Sequence, residues 1–262
     1  MKQDIVFRKM KHSGNPVLEY SLGELPISDY VGRHIALKFE GKIECIACGR
    51  NIKKTFNQGY CFPCFQSLAR CDLCIVKPEL CHFAKGTCRE PEWGKQHCLV
   101  EHVVYLARTS SLKVGVTGAH KVRERWGDQG AREALIIARC PERLVAGQLE
   151  DSLKEFMNDK TDWRGLLKGV VADVDLEGEA HELLGKVPEH FENVLVDPGE
   201  YRTDQLEYPV NKFLSKAVVH NFDKIPELTG EFHGIVGQYL LVGDAGLNVR
   251  KYQGYRVALE LL

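Results

Sequence analysis

The sequence predicts an α+β fold with β-rich ends and a mixed middle region. Apolar and polar residues alternate near both ends of the chain, a period of two that is typical of half-buried strands. In the middle, short strands and helical segments follow one another in the order β-β-α-β-α. Nine of the ten cysteines lie between Cys45 and Cys98, so a cysteine-rich region precedes the middle one. At 262 residues the chain is long enough for two or three domains.

The predicted regions are residues 1–44, 45–102, 103–170 and 171–262. The first is predicted to be β-structure, because segments 17–22 and 34–45 alternate apolar and polar side chains. The second contains the clustered cysteines, and the third contains the β-β-α-β-α series. The last helix of that series places Leu149, Leu153 and Phe156 on one face. The fourth is predicted to form a short helix and then strands separated by Gly, Asp and Asn turn signals.

Composition and charge exclude some classes of protein. No segment approaches the roughly 20 uncharged apolar residues that a membrane-spanning helix needs, and the first residues lack the apolar run of a secretory signal. We therefore expect a soluble cytoplasmic protein with no membrane partner. Residues 1–130 carry 20 Lys and Arg against 13 Asp and Glu, whereas residues 131–262 carry 15 against 23. A basic first half is compatible with nucleic-acid binding.

The first cysteine cluster has the spacing of a metal site. Cys45 and Cys48 form one C-x-x-C pair, and Cys61 and Cys64 form a second pair after twelve intervening residues. In a reducing compartment, clustered cysteines indicate metal rather than disulfides. Two such pairs complete the tetrahedral four-sulfur shell that Zn²⁺ favours. We predict a structural zinc ion here, because a closed shell leaves no open catalytic position.

The second cysteine cluster leaves the ligand set open. Cys71 and Cys74 form another C-x-x-C pair, and together with Cys88 and Cys98 they are predicted to bind a second zinc ion, since thiolates bind zinc most strongly. The other potential ligands in this stretch are Cys81, His82, His97 and His102. An iron–sulfur cluster on Cys71, Cys74, Cys81 and Cys88 is the alternative.

Several side chains of the middle region have uses in phosphodiester chemistry. Tyr105 can accept a proton from water, and Arg125 can neutralise charge on phosphoryl oxygens. Glu150 can hold Mg²⁺, which prefers few carboxylates together with water and substrate phosphate. Lys113 can act on a phosphate electrostatically, but it cannot serve as a base while protonated, near pKa ~10.4. Trp126, Asp128 and Gln129, which follow Arg125 in the run RWGDQGA, are predicted either to line a nucleic-acid cleft or to cap and pack the helix end.

This middle region resembles the GIY-YIG nuclease superfamily. The triplet VVY ending at Tyr105 corresponds to the first motif, and the triplet KVG beginning at Lys113 corresponds to the second. The resemblance implies that Tyr105 is the base, that Arg125 (or Arg123, in an alternative register) binds the phosphate, and that Glu150 is the metal ligand. The chain departs from the motifs in two places: Lys113 replaces the second tyrosine, and the first motif has lost its glycine.

Almost the whole chain also resembles a bacterial family designated domain of unknown function 2797. The matching runs are CDLCIVKPELCHFAKGTCREPEW, LKVGVTG, RWGDQGA, DKTDW, GIVGQYL and NVRKY. This second resemblance is specific, but it implies no established activity.

These features predict a zinc-containing protein that associates with nucleic acid, either DNA or RNA. The GIY-YIG resemblance implies an Mg²⁺-dependent endonuclease that cleaves phosphodiester bonds. A non-catalytic module that binds nucleic acid is the alternative hypothesis, and a metal-cluster redox or sensor protein is the third.

Overall fold

The computed structural model describes residues 2–157 and 162–262. The chain forms two compact units, and each combines stretches that are distant in sequence. Unit 1 comprises Met1–Phe65, Trp163–Val170 and Leu206–Leu262, and unit 2 comprises Gln66–Asp162 and Val171–Gln205. Within the described ranges, no helix has both the length and the apolar character needed to cross a membrane.

Strands dominate both ends of the chain, and most of the α-helices lie between them. The strands are β1 Lys2–Val6, β2 Lys11–Ser13, β3 Glu19–Ser21, β4 His34–Glu44, β5 Asn51–Ile52, β6 His102–Arg108, β7 Leu112–Gly118, β8 Glu133–Cys140, β9 Asp204–Gln205, β10 Glu227–Val236, β11 Tyr239–Val242, β12 Ala245–Asn248 and β13 Tyr255–Leu261. The α-helices are α1 Phe62–Ser67, α2 Pro91–His97, α3 Val122–Gln129, α4 Arg143–Leu153, α5 Trp163–Leu167 and α6 Leu176–Leu184.

Unit 1 is built on an antiparallel sheet with β4 near its centre. The strand order is β1-β13-β4-β10-β11-β12, and β5 pairs with the end of β4. The alternation in β4 places Ile35 and Leu37 in the core, where both are fully buried. Leu37 lies opposite Leu259 of β13 and Leu228 of β10. The chain then continues directly from β4 into the first cysteine cluster.

Unit 2 is built on a four-stranded antiparallel sheet in the order β7-β6-β8-β9. Val104 and Leu106 of the central strand β6 belong to a core that includes Leu149 and Leu153 of α4. Successive side chains of a strand point to opposite faces. The side chain of Tyr105 therefore points away from this core, to the opposite face of the sheet, next to α3.

The structure confirms the α+β class and the order β-β-α-β-α, which appears as β6, β7, α3, β8 and α4. The predicted helix through Phe156 is wrong at its end. Helix α4 stops at Leu153, and the amide of Phe156 donates to the Leu153 carbonyl in a tighter turn. Leu149 and Leu153 are fully buried as predicted, whereas Phe156 is 48% exposed.

Candidate functional site

The four cysteines of the first cluster lie together in unit 1. The sulfur atoms of Cys45, Cys48, Cys61 and Cys64 all lie within 4.8 Å of one another. The sulfurs of Cys48 and Cys61 are 3.8 Å apart. Thiolates around one tetrahedral zinc are also about 3.8 Å apart, given Zn–S bonds of ~2.3 Å. The geometry is therefore compatible with a single metal ion held by all four sulfurs.

Local backbone geometry positions these sulfurs. Cys45 directly follows β4, and Gly49 turns the chain in the left-handed region, with φ of 73°, while its amide donates to the Cys45 carbonyl. Cys61 directly precedes α1, and its own amide donates to the Cys45 sulfur at 3.2 Å. The two C-x-x-C turns are thus linked by a hydrogen bond from backbone to sulfur.

The surroundings of the first cluster favour thiolate at one position and oppose it at another. Burial raises the pKa of the Cys45 thiol. Hydrogen bonds from backbone amides, including those of Cys48 and Cys61, have the larger opposite effect, so the pKa of Cys45 is about 6. The hydrogen bond with Cys61, together with burial, raises the pKa of Cys64 to about 12. Four thiols this close cannot all ionise unless a cation neutralises them, and a bound divalent metal supplies that charge.

A second group of cysteines surrounds one cavity in unit 2. The cavity is lined by Cys74, Cys81, Cys88 and Cys98. Cys71 is buried, but it is not among the described residues that line this cavity. The structure therefore brings together three of the four ligands predicted for the second cluster and adds Cys81 to them.

The histidines considered as further ligands are engaged within the protein. His82 has Nδ1 2.7 Å from Thr87 Oγ1 and Nε2 3.5 Å from a carboxylate oxygen of Asp72. His97 and His102 each have Nδ1 2.8 Å from a backbone carbonyl oxygen. Each histidine thus has a protein partner at one or both ring nitrogens.

Tyr105 and Gly115 face each other on the paired strands β6 and β7. Tyr105 is fully buried, and its hydroxyl would lie only 2.5 Å from a Cβ atom at position 115. Glycine at this position therefore leaves the room that the phenol occupies. The Tyr105 hydroxyl lies 2.8 Å from the side-chain amide of Gln129. Burial raises the pKa of Tyr105 and keeps the phenol protonated.

Two cationic side chains converge on the same Gln129 amide. With the amide oxygen facing the cations, it accepts from Arg125 Nη2 at 2.8 Å and from Arg125 Nε at 2.9 Å, and it lies 3.3 Å from Lys113 Nζ. The amide nitrogen then donates to the Tyr105 hydroxyl at 2.8 Å. This orientation satisfies every contact of the amide, because its oxygen meets donors and its nitrogen meets an acceptor.

The structure also distinguishes the two arginines considered for phosphate binding. Arg123 has Nη1 3.3 Å from a carboxylate oxygen of Asp204, on the short strand β9. Arg125, two residues further along α3, is the one that reaches Gln129 and Tyr105.

Glu150 joins this group from helix α4. Burial raises the pKa of its carboxyl group, while the positive charges of Lys154, Arg125 and Lys113 act in the opposite direction. Lys154 Nζ lies 3.6 Å from Glu150 Oε2, one turn along the helix, and the Glu150 side chain is 13% exposed. Glu150 therefore lies within electrostatic reach of both cations that contact Gln129.

The structure thus places Tyr105, Lys113 and Arg125 around Gln129, with Glu150 within electrostatic reach of both cations. We call these five residues the Gln129-centred cluster. A guanidinium and an ammonium that share one oxygen atom are suited to an anionic oxygen, such as that of a phosphoryl group. The cluster is closed, since Tyr105 is 0% and Lys113 5% exposed and the Gln129 amide holds the central position.

The sequence alone did not predict the central position of Gln129 or the ion pair between Lys154 and Glu150. Both residues follow a cluster member at helical spacing, Gln129 four residues after Arg125 and Lys154 four residues after Glu150. Residues four apart are neighbours on a helix surface, so this spacing is the signal that points to them.

The fold and these two sites define an α+β protein with four clustered cysteines, whose geometry is compatible with a metal ion, and a closed cationic cluster. A family model described as Protein of unknown function (DUF2797) matches residues 32–257. The chain belongs to this family, and the matched range includes both cysteine groups and the Gln129-centred cluster. No curated protein and no solved structure matches the chain.

Proposed function

We propose that this protein is a zinc-stabilised nucleic-acid-associated protein whose Gln129-centred cluster binds a backbone phosphate and supports Mg²⁺-dependent phosphodiester cleavage. One observation carries the proposal: Arg125 and Lys113 both direct donors at a single oxygen atom beside the Tyr105 hydroxyl. A phosphoryl oxygen of a nucleic acid needs the same donors, and it would take the place of the Gln129 amide oxygen.

Zinc is the metal proposed for the first cluster. Four sulfur donors, close enough for a tetrahedral shell, are the ligand set that Zn²⁺ favours. All four positions of such a shell are filled by protein, so the ion would stabilise unit 1 rather than take part in chemistry.

Each member of the Gln129-centred cluster other than Gln129 itself has a role in the proposed reaction. Arg125 and Lys113 hold the phosphoryl oxygen and neutralise the charge that develops on it. Tyr105, whose buried phenol stays protonated, would donate a hydrogen bond to the same phosphoryl oxygen, and the proton of the attacking water would pass to bulk solvent. Glu150 would hold Mg²⁺, since one carboxylate with water and substrate phosphate is a common ligand set for this ion. Bound there, the ion would neutralise phosphate charge and lower the pKa of a coordinated water.

The resemblance of the middle region to GIY-YIG nucleases supports these roles. The strand, strand, helix, strand, helix order of β6, β7, α3, β8 and α4 agrees with the order expected from that resemblance. Lys113, which stands in place of the second motif tyrosine, contributes a charge to the same oxygen position.

Cleavage is tested by incubating the purified protein with plasmid DNA, single-stranded DNA and structured RNA, with Mg²⁺ or with EDTA. We expect nicking of at least one substrate with Mg²⁺ alone. Glu150→Gln should abolish it, whereas Asp151→Asn, the adjacent and 55% exposed carboxylate on α4, should cleave normally. Cleavage that persists in Glu150→Gln would show that Glu150 is not the metal ligand.

Binding without cleavage is the second candidate function, and the closed state of the cluster favours it. Tyr105 is fully buried, and Nη2 and Nε of Arg125 already donate to Gln129. A general base must reach the proton that it abstracts. Under this alternative, the wild-type protein shifts nucleic acid in a gel-mobility assay but leaves every substrate intact with Mg²⁺.

A further inference from the structure

The cavity in unit 2 has the ligands of a second metal centre, but its geometry differs from that of the first. We propose that Cys74, Cys81, Cys88 and Cys98 bind a [4Fe–4S] cluster. These cysteines come from four separate turns: Cys74 lies in the short helix Leu73–Ile75, Cys81 and Cys88 follow later turns, and Cys98 caps the end of α2. All four line the same cavity.

The separation of the sulfurs distinguishes a cluster from a single zinc ion. In the first cluster the four sulfurs lie within 4.8 Å of one another, as one tetrahedral ion requires. Among the described residues, the sulfurs of the second group do not form such a set, although they share one cavity. In a cubane, iron and sulfide atoms lie between the thiolates and keep them further apart. The cavity is lined by four cysteines whose sulfurs, among the described residues, do not all lie within 4.8 Å of one another, and this arrangement is compatible with the cofactor.

The walls of the cavity suit an iron–sulfur cofactor. Ile75, Phe83 and Trp93 provide apolar surface around the cysteines. Gly94 of α2 allows the helix to approach closely, because a Cβ there would lie 2.9 Å from the Phe83 ring and 3.2 Å from the Cys88 sulfur. Limited solvent access and apolar packing are among the features by which proteins tune such clusters.

A positive charge lies beside the cavity. The backbone amide of Arg143 donates to the Cys98 carbonyl at 2.8 Å. Arg143 Nη2 donates to the carbonyl of Ile75 at 2.7 Å. Its Nε is buried, with no hydrogen-bond partner among the described residues. Four thiolates on a cubane carry net negative charge, which a fixed guanidinium stabilises.

A smaller mixed site on Asp72, Cys74 and His82 is less well suited to metal, although their donor atoms lie within 4.8 Å of one another. The Asp72 carboxylate is bound by Arg89 Nε at 2.6 Å. His82 bonds to Thr87 through one ring nitrogen and lies near Asp72 with the other. These donors already have protein partners, so the cysteines remain the better ligand set.

The proposal is tested on the full-length protein, expressed with added iron and purified without oxygen. We expect about four iron and four acid-labile sulfide per chain beside one zinc, with broad visible absorbance that dithionite bleaches. Cys81→Ser and Cys98→Ser should lose the iron and keep the zinc. Cys71→Ser, a buried cysteine of the same segment outside the cavity, should keep both metals.

Three results would overturn the proposal. One is wild-type protein with two zinc ions and no sulfide, even after reconstitution with iron and sulfide. Another is loss of iron in Cys71→Ser with retention in Cys81→Ser, which would assign the cluster to other ligands. The third is a single zinc with no uptake of iron. Circular dichroism spectra matching wild type would show that the serine variants fold. These measurements involve no nucleic acid, so their outcome is separate from that of the proposed function.

Discussion

At the scale of single residues, the candidate site in unit 2 depends on one amide. Gln129 presents its oxygen to Arg125 and Lys113 and its nitrogen to Tyr105. A neutral amide satisfies the donors without neutralising their charge. The cluster therefore keeps both positive charges, and under the proposed function a phosphate would displace only a neutral side chain.

Substituting Gln129 tests this arrangement. In Gln129→Glu a carboxylate would occupy the oxygen position and neutralise the cations, so nucleic-acid affinity should fall. The slope of log K against log salt should decrease by about 1, because about one phosphate contact is lost. Fluorescence anisotropy titrations at several salt concentrations measure both quantities. Gln129→Ala, which removes the amide and adds no charge, should bind at least as tightly as wild type. Equal affinity and salt slope in Gln129→Glu and wild type would place the phosphate elsewhere.

Gly115 provides a second test at this scale. Gly115→Ala places a methyl group 2.5 Å from the Tyr105 hydroxyl, and both belong to paired strands that cannot easily separate. Overpacking of this kind costs about 1–3 kcal/mol. Urea unfolding should show the loss as a lower midpoint with an unchanged slope. Gly185→Ala is the matched control, since Gly185 has φ of −66° and a Cβ there would lie 3.8 Å from the Glu182 carbonyl oxygen. If both variants unfold at the same midpoint, the phenol is not packed against position 115.

At the scale of elements, unit 1 places its metal group where a strand ends and a helix begins. Cys45 follows β4, the strand that pairs with β13, β10 and β5, and Cys61 precedes α1. A metal ion bound there joins the end of the main sheet to α1. Its binding energy therefore contributes to the stability of the sheet as well as to that of the turns.

Removing one sulfur ligand tests this link. If the first cluster holds zinc as proposed, Cys61→Ser should lose that ion, and the stability of unit 1 should fall by several kcal/mol, on the order expected for structural zinc. Zinc content by mass spectrometry and urea unfolding provide the measurements. Cys140→Ala, at a buried cysteine in the core of unit 2, should retain full zinc content. A Cys61→Ser protein with wild-type zinc would exclude Cys61 as a ligand.

At the scale of the whole molecule, each unit contains a buried histidine that resists protonation. His102 of unit 2 is 1% exposed and His220 of unit 1 is 8% exposed. Burial lowers the pKa of both side chains below the ordinary value of 6.5. Below that value the unfolded chain binds protons that the folded chain does not, so stability decreases as the pH falls.

The pH dependence can be assigned with one variant. Between pH 7.5 and pH 5, wild-type protein should lose stability. His220→Phe should lose less, because phenylalanine binds no proton in either the folded or the unfolded state. Urea midpoints measured across this range supply the comparison. His34→Gln, at an exposed position on β4, should follow the wild-type curve. Metal loss in acid affects all three proteins alike, so only the difference between them reports on His220. Parallel curves for wild type and His220→Phe would contradict the assignment.

The order of elements in unit 2 was predictable because hydrophobic period is a local property of the chain. The strands β6, β7 and β8 and the helices α3 and α4 all appear where the pattern placed them. The end of α4 was predicted incorrectly, since Phe156 continues the apolar spacing but follows the point where the backbone tightens. Spacing describes a face that a helix could present, and it does not show where the helix stops.

The sequence by itself determined the α+β class and the membership of the first cysteine cluster. Each C-x-x-C pair is one turn of chain, so its two sulfurs meet whatever the rest of the molecule does. Only the tertiary structure placed Cys81 rather than Cys71 on the cavity wall, chose Arg125 over Arg123, and set Gln129 between the cations. These choices depend on how helices and turns pack against one another, and residue spacing along the chain does not encode that packing.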